Sequence, residues 1–262
     1  MANCQSLIAN CKIATIAAVL AVAAGAGILA GAGVVAYGAL SARSQLFGRT
    51  FTGLGAGSRQ LALTFDDGPN DPHTLRLLEV LAKHQVKATF FMIGRFVGER
   101  PEIARAVAQA GHVIGNHTYT HPNLFFASAS RLEKELDDCE QALTDAAGEH
   151  SKLFRPPFGF RRPQTLRAAA GRGLATVMWS VSGNDWKLPT AEAIERQGAR
   201  HVRGGDVILL HDGGHRHMGV DRAPAVAATE RLIARYKGEG YSFVTIPEMM
   251  AHHGGTETRS RS

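Results

Sequence analysis

The chain has 262 residues, a formal net charge of +6 at pH 7 and three cysteines. An odd, scattered set of cysteines argues against a disulfide scaffold. No basic cluster is interleaved with aromatic residues, so the positive charge does not indicate nucleic-acid binding. A basic protein also suits an anionic wall or membrane surface.

A short N-terminal segment, residues 1–12, precedes a long apolar run. Residues 13–40 contain no charged side chain and consist of Ala, Gly, Val, Ile and Leu with one Thr and one Tyr. Because about 20 apolar residues cross a bilayer, this run predicts a transmembrane helix or uncleaved signal anchor. A cleaved signal peptide is the alternative, since Lys12 gives a basic flank and residues 38–42 are small. The apolar core of such peptides is about 7–15 residues, so we expect a retained single-pass anchor.

The rest of the chain predicts one domain between a linker and a tail. The glycine-rich residues 41–59 indicate a flexible linker, residues 60–248 a single catalytic domain, and residues 249–262 a polar tail. Helices are predicted at 72–84, 101–110, 130–147, 163–171, 191–201 and 223–237, and strands at 61–65, 88–93, 113–114, 175–179, 207–210 and 241–246. Alternating units of this kind indicate an α/β domain with a parallel sheet.

Two adjacent carboxylates end the first predicted strand. Apolar residues alternate from 61 to 65, as in a half-buried strand, and a Gly-Pro turn directly follows Asp66 and Asp67. Folds of the α/β class place their chemistry at the carboxyl ends of strands. Two anions in one pocket repel each other, so the pair predicts a bound cation or a strongly shifted pKa. An Asx-type turn is the alternative.

Nitrogen ligands for a cation are offered by His117 and His121. Their spacing of four residues places two imidazoles on one face of a helical turn, and they directly follow a predicted strand. Two histidines with one carboxylate form a common catalytic zinc set, which leaves a coordination position open. A solvated or structural pair of histidines is the alternative.

Three further segments place polar side chains after predicted strands. Arg155 in the sequence FRPPFG is held by paired prolines as a bidentate partner for a carboxylate. Asp185 and Trp186 close residues 178–186, and His211 ends the apolar strand at 207–210. Each segment taken alone has a structural alternative: a rigid turn for Arg155 and its prolines, an acid in a loop for Asp185, and a histidine at a strand end for His211.

In this order, the five segments resemble the five motifs of the polysaccharide deacetylases, carbohydrate esterase family four, or NodB homology domain. The matching residues are 64–67, 117–121, 155–159, 184–186 and 209–211. The resemblance covers about residues 60–248 and implies a distorted, incomplete (β/α) barrel behind the membrane-spanning helix.

The resemblance also implies a role for each motif residue. Asp67, His117 and His121 match the ligands of one divalent metal ion, with zinc expected first and cobalt, nickel or iron also compatible. Asp66 matches the general base that takes a proton from water, and Arg155 matches the partner that keeps this base ionised.

The remaining motifs imply the other half of an acyl-transfer site. The backbone N–H of Phe158 matches an oxyanion donor, and His211 matches the general acid oriented by Asp185. Trp186 and Leu209 match the walls around the acetyl group. Two positions depart from the family pattern: Ser182 stands where an acid is usual, and Phe158 where many members have Tyr.

The resemblance implies a metal-dependent hydrolase that removes N-acetyl or O-acetyl groups from a cell-envelope polysaccharide or oligosaccharide. Its catalytic domain is expected outside the cytoplasm, anchored in the cell membrane or, if the signal is cleaved, secreted. A deformylase or deacylase of a lipid-linked sugar is one alternative, and an inactive carbohydrate-binding domain is another. Acid, base and ligand residues together argue against a mere binder. The sequence indicates no protein partner and does not choose the glycan.

Overall fold

The computed structural model describes residue 31, residues 33–148 and residues 150–257. Within these residues the strands are β1 Gln60–Gly68, β2 Thr89–Met92, β3 Val113–Asn116, β4 Leu153–Phe154, β5 Ala175–Thr176, β6 Val181–Ser182, β7 Val207–His211 and β8 Ser242–Phe243. The helices after residue 60 are α1 His73–Lys83, α2 Gly94–Glu99, α3 Pro101–Gln109, α4 Ala129–Ala147, α5 Pro163–Ala170, α6 Ala191–Ala199, α7 Ala223–Gly238 and α8 Ile246–Glu257.

The strands form one parallel sheet in the order β5-β4-β3-β2-β1-β7-β6, and β8 pairs with the start of β1. Helices separate all consecutive strands except β5 and β6, and the result is the α/β, curled and incomplete barrel that the family resemblance implies. All carboxyl ends of the parallel strands meet at one edge, and the register of β1 and β7 sets Asp66 opposite His211 there.

Strand β1 lies at the centre of the sheet and is buried on both faces. The sequence predicted a half-buried strand, but Ala62 and Thr64 are as fully buried as their apolar neighbours. The Thr64 hydroxyl donates a hydrogen bond to the carbonyl of Ile208 at 2.9 Å, which makes this burial possible. A central parallel strand covered by helices has no solvent-facing side.

Residues 51–54, part of the predicted flexible linker, pair with the sheet. Phe51 forms a parallel bridge with Val177 beyond β5, and Gly53 forms an antiparallel bridge with Asp206 ahead of β7. The φ of Gly53 is +124°, and a Cβ there would lie 2.3 Å from the carbonyl oxygen of Gly205. The glycine that suggested flexibility therefore allows a close backbone approach, and a docked segment stands where we expected a loose one.

Among the residues that the structure describes, no helix combines the length and apolar character needed to cross a bilayer. Residues 13–30 and 32 of the predicted span lie outside the described part of the chain. Residues 33–40 are helical, and Ala39 is buried.

The predicted polar tail begins inside a helix. Helix α8 continues to Glu257, whereas residues from 249 onward were expected to form a tail. Met249 is fully buried and packs in one cluster with Ile246, Ala62 and Val207. This apolar packing extends the domain past its predicted boundary at residue 248.

Candidate active site

All the predicted site residues lie at the edge of the sheet where the strands end. Asp66 and Asp67 lie near the carboxyl end of β1. His117 directly follows β3, Arg155 follows β4, and His211 ends β7. They face, or support, a cavity of about 530 Å³. The cavity is lined by Asp66, Asp67, His117, His121, Phe158, Gly159, Trp179, Trp186, Leu209, His211, Gly214, His215, Arg216, His217, Val220 and Arg222.

Asp67, His117 and His121 form one buried cluster whose ligand atoms all lie within 4.8 Å of one another. The Asp67 Oδ1 atom is 3.5 Å from His117 Nε2 and 3.2 Å from His121 Nε2. This oxygen is buried yet accepts no hydrogen bond. A buried carboxylate oxygen without a donor, facing two imidazole nitrogens, fits a divalent cation with nitrogen and oxygen ligands.

The protonation states of this cluster also suit a cation. Burial alone raises the pKa of Asp67, but its contact with His117 and the charge of nearby His121 hold that pKa well below its usual range. Burial, reinforced by the charge of His117, lowers the pKa of His121 to about 3. At neutral pH the carboxylate is therefore ionised and His121 neutral, as metal ligation requires.

His117 is oriented by a backbone carbonyl. Its Nδ1 lies 2.7 Å from the carbonyl oxygen of Arg155, so Nδ1–H donates there. We assign the lone pair to Nε2 on this basis. Nε2 then points toward Asp67, and the carbonyl behind the ring fixes tautomer and orientation, as partners behind metal-bound histidines do.

The two histidines meet through a loop, whereas the sequence predicted a helical turn. Residues 117–121 are not helical, and Thr118 and His121 have φ of 66° and 57°. The side chain of Asn116 accepts a hydrogen bond from Thr118 N at 2.8 Å, and the Thr118 hydroxyl accepts one from His121 N at 3.1 Å. These bonds hold the left-handed residues and bring the imidazole centroids to 4.9 Å.

Asp66 is paired with Arg155, and both are buried. Arg155 Nη1 donates to Asp66 Oδ1 at 2.8 Å, and the other Arg155 nitrogens donate to the carbonyls of Val177 and Met178. The pair is thus joined by one hydrogen bond, not by the expected bidentate contact, because the guanidinium is shared with backbone carbonyls. Asp66 Oδ2 remains 3.8 Å from His117 Nε2. Removing one partner of such a buried pair costs about 3–5 kcal/mol.

His211 is held by Asp185 across the cavity. Asp185 Oδ1 lies 2.9 Å from His211 Nδ1, and Asp185 Oδ2 accepts a hydrogen bond from His211 N at 2.8 Å. Burial alone lowers the pKa of His211, but the charge and hydrogen bond of Asp185 raise it to about 9. The imidazole is therefore protonated at neutral pH and has Nε2–H available as a proton donor.

The cavity walls are aromatic and apolar. Trp186 packs edge-on against His211 with ring centroids 5.1 Å apart, and Leu209 lines the same cavity. Phe158 has a φ of 58°, and its ring lies 4.6 Å from the ring of His121. Ser182, which replaces the usual acid, accepts a hydrogen bond from Asn184 N at 3.2 Å and so stabilises the turn before Asp185.

The loop after β7 adds site residues that the sequence reasoning missed. The ring of His215 stacks on His121 with centroids 4.9 Å apart, and Arg216, His217 and Arg222 line the rim. The available signal was the cluster of two histidines and an arginine at 215–217, directly after a strand-terminal His-Asp-Gly-Gly.

Asp212 is a second buried group that sequence reasoning missed. The Thr74 hydroxyl donates to Asp212 Oδ2 at 2.5 Å, and the side chain of Asn70 donates to the Asp212 carbonyl at 2.9 Å. Burial and the nearby acids raise the pKa of Asp212 to about 7, although the bond from Thr74 opposes this. Through these bonds Asp212 joins the turn after β7 to Asn70 in the turn after β1 and to Thr74 at the start of α1.

Comparison with known proteins gives one consistent result. The family model described as polysaccharide deacetylase matches residues 55–177. The chain is 38% identical over 206 residues to a chitooligosaccharide deacetylase of Sinorhizobium fredii, covering 76% of this chain and 96% of that protein.

Two solved structures share the fold. A peptidoglycan N-acetylglucosamine deacetylase in complex with a hydroxamate-type benzamide has a TM-score of 0.70 and 37% identity, covering 76% of this chain and 91% of that one. A family-four pseudoenzyme from Bacillus anthracis has a TM-score of 0.71 and 28% identity, covering 77% and 68%. Since a pseudoenzyme shares this fold, the fold alone does not indicate activity. The evidence for activity is the set of side chains at the site.

Proposed function

Because the chain belongs to the polysaccharide deacetylase family and is a deacetylase of the hydrolase class, we propose that it removes N-acetyl groups from a cell-envelope polysaccharide or oligosaccharide, with one divalent metal ion. The observation that carries the proposal is the meeting of three sets of residues, one cluster and two pairs, at one cavity. These are the ligand cluster of Asp67, His117 and His121, the Asp66–Arg155 pair and the His211–Asp185 pair.

The ligand cluster would hold the metal, with zinc as the first choice for two nitrogens and one oxygen. A bound divalent cation supplies Lewis-acid polarisation and lowers the pKa of water. The chain's own residues supply the proton transfers and the positioning that the reaction also needs.

Asp66 is proposed as the general base. Its Oδ1 is bonded to Arg155, while Oδ2 is the oxygen directed toward His117 and the cavity. The hydrogen bond from the guanidinium fixes the orientation of Asp66, so Oδ2 is the atom that accepts a proton from the attacking water.

His211 is proposed as the general acid. An amine is a poor leaving group unless it is protonated as the C–N bond breaks, so the site needs a proton donor. Asp185 holds the imidazolium and directs its Nε2–H away from the carboxylate. The backbone N–H of Phe158 is the proposed oxyanion donor, since its left-handed conformation sets it in the cavity wall.

The cavity also supports a choice of substrate class. Trp186 and Leu209 form an apolar wall suited to the methyl of an acetyl group, and Trp186 is exposed for contact with a sugar ring. Arg216 and Arg222 give the rim a positive charge, which favours anionic glycans of the cell envelope.

For its location we infer a single-pass anchor in the cell membrane with the catalytic domain outside the cytoplasm. The apolar run 13–40 supports this, as do the exposed apolar side chains of Val34, Val35, Tyr37 and Leu40 at its end. A glycan outside the cytoplasm is also the substrate that such a site would meet.

Acetate release from defined glycans tests the function. We expect the full chain, supplied with zinc, to release acetate from peptidoglycan or from chitin-like oligosaccharides, and Asp66→Asn to lose about 100- to 10,000-fold in turnover. Formate release from a lipid-linked formylated sugar would favour the deformylase alternative. Binding without release of either acid would favour the inactive binding domain.

A further inference from the structure

Arg161 is a buried cation that interacts with carbonyl groups. Arg161 is 1% exposed, and no acidic side chain among the described residues forms an ion pair with it. Nη1 donates to the carbonyl of Gly159 at 3.1 Å, and Nη2 donates to the carbonyls of Ser41 and Ser44 at 2.7 and 2.8 Å. Burying a guanidinium without a counter-ion is costly, so these bonds indicate a specific structural role.

Residues 38–54, here called the docked segment, lie against the domain. Arg161 N donates to the carbonyl of Ala39, and Arg43 Nη2 donates to the carbonyl of Ser180 at 2.7 Å. Farther along, Phe51 N donates to the Thr176 carbonyl at 2.9 Å, and the Phe51 carbonyl accepts from Met178 N at 2.7 Å. The segment thus runs alongside residues 176–180, which leave the end of β5.

Both ends of the docked segment contact backbone that positions the proposed catalytic groups. The Gly159 carbonyl that Arg161 holds belongs to the turn of residues 157–159, which presents the Phe158 N–H. The carbonyls of Val177 and Met178, next to the Phe51 bridge, hold the guanidinium of Arg155. Arg155 in turn holds Asp66.

We propose that Arg161 is a positioning residue that fastens the docked segment to the turn of residues 157–159, so that this segment forms part of the active site. The whole segment lies ahead of residues 55–177, which the family model matches. The kinetic consequence rests on the proposed deacetylase function, whereas the fastening itself does not. Arg161 touches no reacting atom and acts through the backbone of Gly159.

Substitution of Arg161 in the full chain tests this role. We expect Arg161→Gln to lower kcat about 10- to 100-fold with KM and bound metal near wild type, because a small misplacement of catalytic groups suffices for such a loss. Arg161→Lys should recover part of the activity, since one ammonium reaches fewer carbonyls. Arg167→Gln, on the exposed face of α5, is the matched control and should behave like wild type.

Amide hydrogen exchange provides a readout independent of activity. In Arg161→Gln we expect faster exchange at residues 41–44 and 158–160, with little change in α4. If the variant folds poorly, Gly53→Ala offers a second route, since the added Cβ would press on the Gly205 carbonyl at 2.3 Å and displace the segment. The same loss of kcat with bound metal near wild type is then expected.

The outcomes separate the two proposals. Faster exchange at 41–44 together with wild-type kcat would overturn the positioning role, and unchanged exchange would overturn the fastening. If the wild-type chain releases no acetate, the deacetylase function fails, and exchange at 158–160 then decides the positioning role alone.

Discussion

Asp66 and Asp67 are chemically identical neighbours whose surroundings give them different tasks. Asp66 is bonded to the guanidinium of Arg155, whereas Asp67 faces His117 and His121 with one oxygen free of donors. The φ of 72° at Asp67 turns the second carboxylate toward the same cavity as the first. One carboxylate therefore suits proton transfer and the other suits a cation.

The ligand cluster predicts a specific effect on metal content. We expect His117→Ala to lower the bound metal of the purified protein well below one equivalent, because it removes one of three ligands and the ring held by the Arg155 carbonyl. Elemental analysis after dialysis measures this. His217→Ala, which removes an exposed histidine from the same cavity, is the control. Full metal content and activity in His117→Ala would refute the cluster as the metal site.

The His211–Asp185 pair predicts a pH profile. The pKa of His211 is raised to about 9, so the protonated general acid is present below that pH and is lost above it. We expect kcat/KM to decline with an alkaline limb near pH 9. In Asp185→Asn the charge that raises the pKa is gone while burial still lowers it, so the limb should move toward neutral pH. Ser182→Ala, at the end of β6, removes no charge and should leave the limb in place. An unshifted limb in Asp185→Asn would argue against His211 as the acid.

At the scale of elements, the turn of residues 157–159 is a close-packed part of the site. Gly159 has a φ of +70°, and a Cβ there would lie 2.7 Å from the indole of Trp179. The turn therefore packs directly on a cavity wall and has no room for a side chain.

A pair of glycine substitutions isolates this packing. Gly159→Ala should lower kcat at least tenfold, because the turn must move away from Trp179 and takes the Phe158 N–H with it. Gly173→Ala is the matched control, since its φ is +71° but nothing lies within 4 Å of the added Cβ. Both incur a similar conformational cost of about 1–2 kcal/mol for an alanine in the left-handed region, so thermal unfolding compares them directly. Equal effects of both on kcat would show that the Trp179 contact is irrelevant.

Regular patterns predicted the repeated elements, and irregular backbone was predicted poorly. Long helices such as α4 and buried strands such as β2 follow from apolar periodicity, as does the gathering of Asp66 and His211 at one edge. The spacing of His117 and His121 correctly predicted their proximity but wrongly predicted a helical turn. Their loop depends on side-chain bonds from Asn116 and on residues with positive φ, which periodicity does not reveal. His215 and the short helix α2 were missed for the same reason.

At the scale of the whole molecule, the docked segment joins the catalytic domain to the apolar N-terminal run. Arg161 binds carbonyls on both sides of residues 42 and 43, the positions where a signal peptidase would cut. Cleavage there would divide a segment that the fold uses. The docking therefore favours a retained anchor over a cleaved signal.

This connection predicts where a shortened chain can begin. A chain that starts near Leu54, within the glycine-rich residues 41–59, would lack Phe51 and its bridge to Val177. We expect it to lose stability and activity, whereas a chain that starts at Ala36 keeps the docked segment and should hydrolyse soluble oligosaccharides at the full-chain rate. Acetate release and thermal unfolding of the two chains measure the difference. Equal activity of both would show that the docked segment is dispensable.

The same chains test the anchor in cells. We expect the full chain in the membrane fraction and resistant to salt extraction, because residues 13–40 are long enough to span a bilayer. The chain that starts at Ala36, given a separate export signal, should be released and should deacetylate wall material more slowly at equal abundance. Tethering raises the effective concentration of a domain at its surface, and release removes that gain. If cells that carry the full-length gene release the protein into the medium, with an N-terminus near Ala42 or Arg43, the signal is cleaved instead.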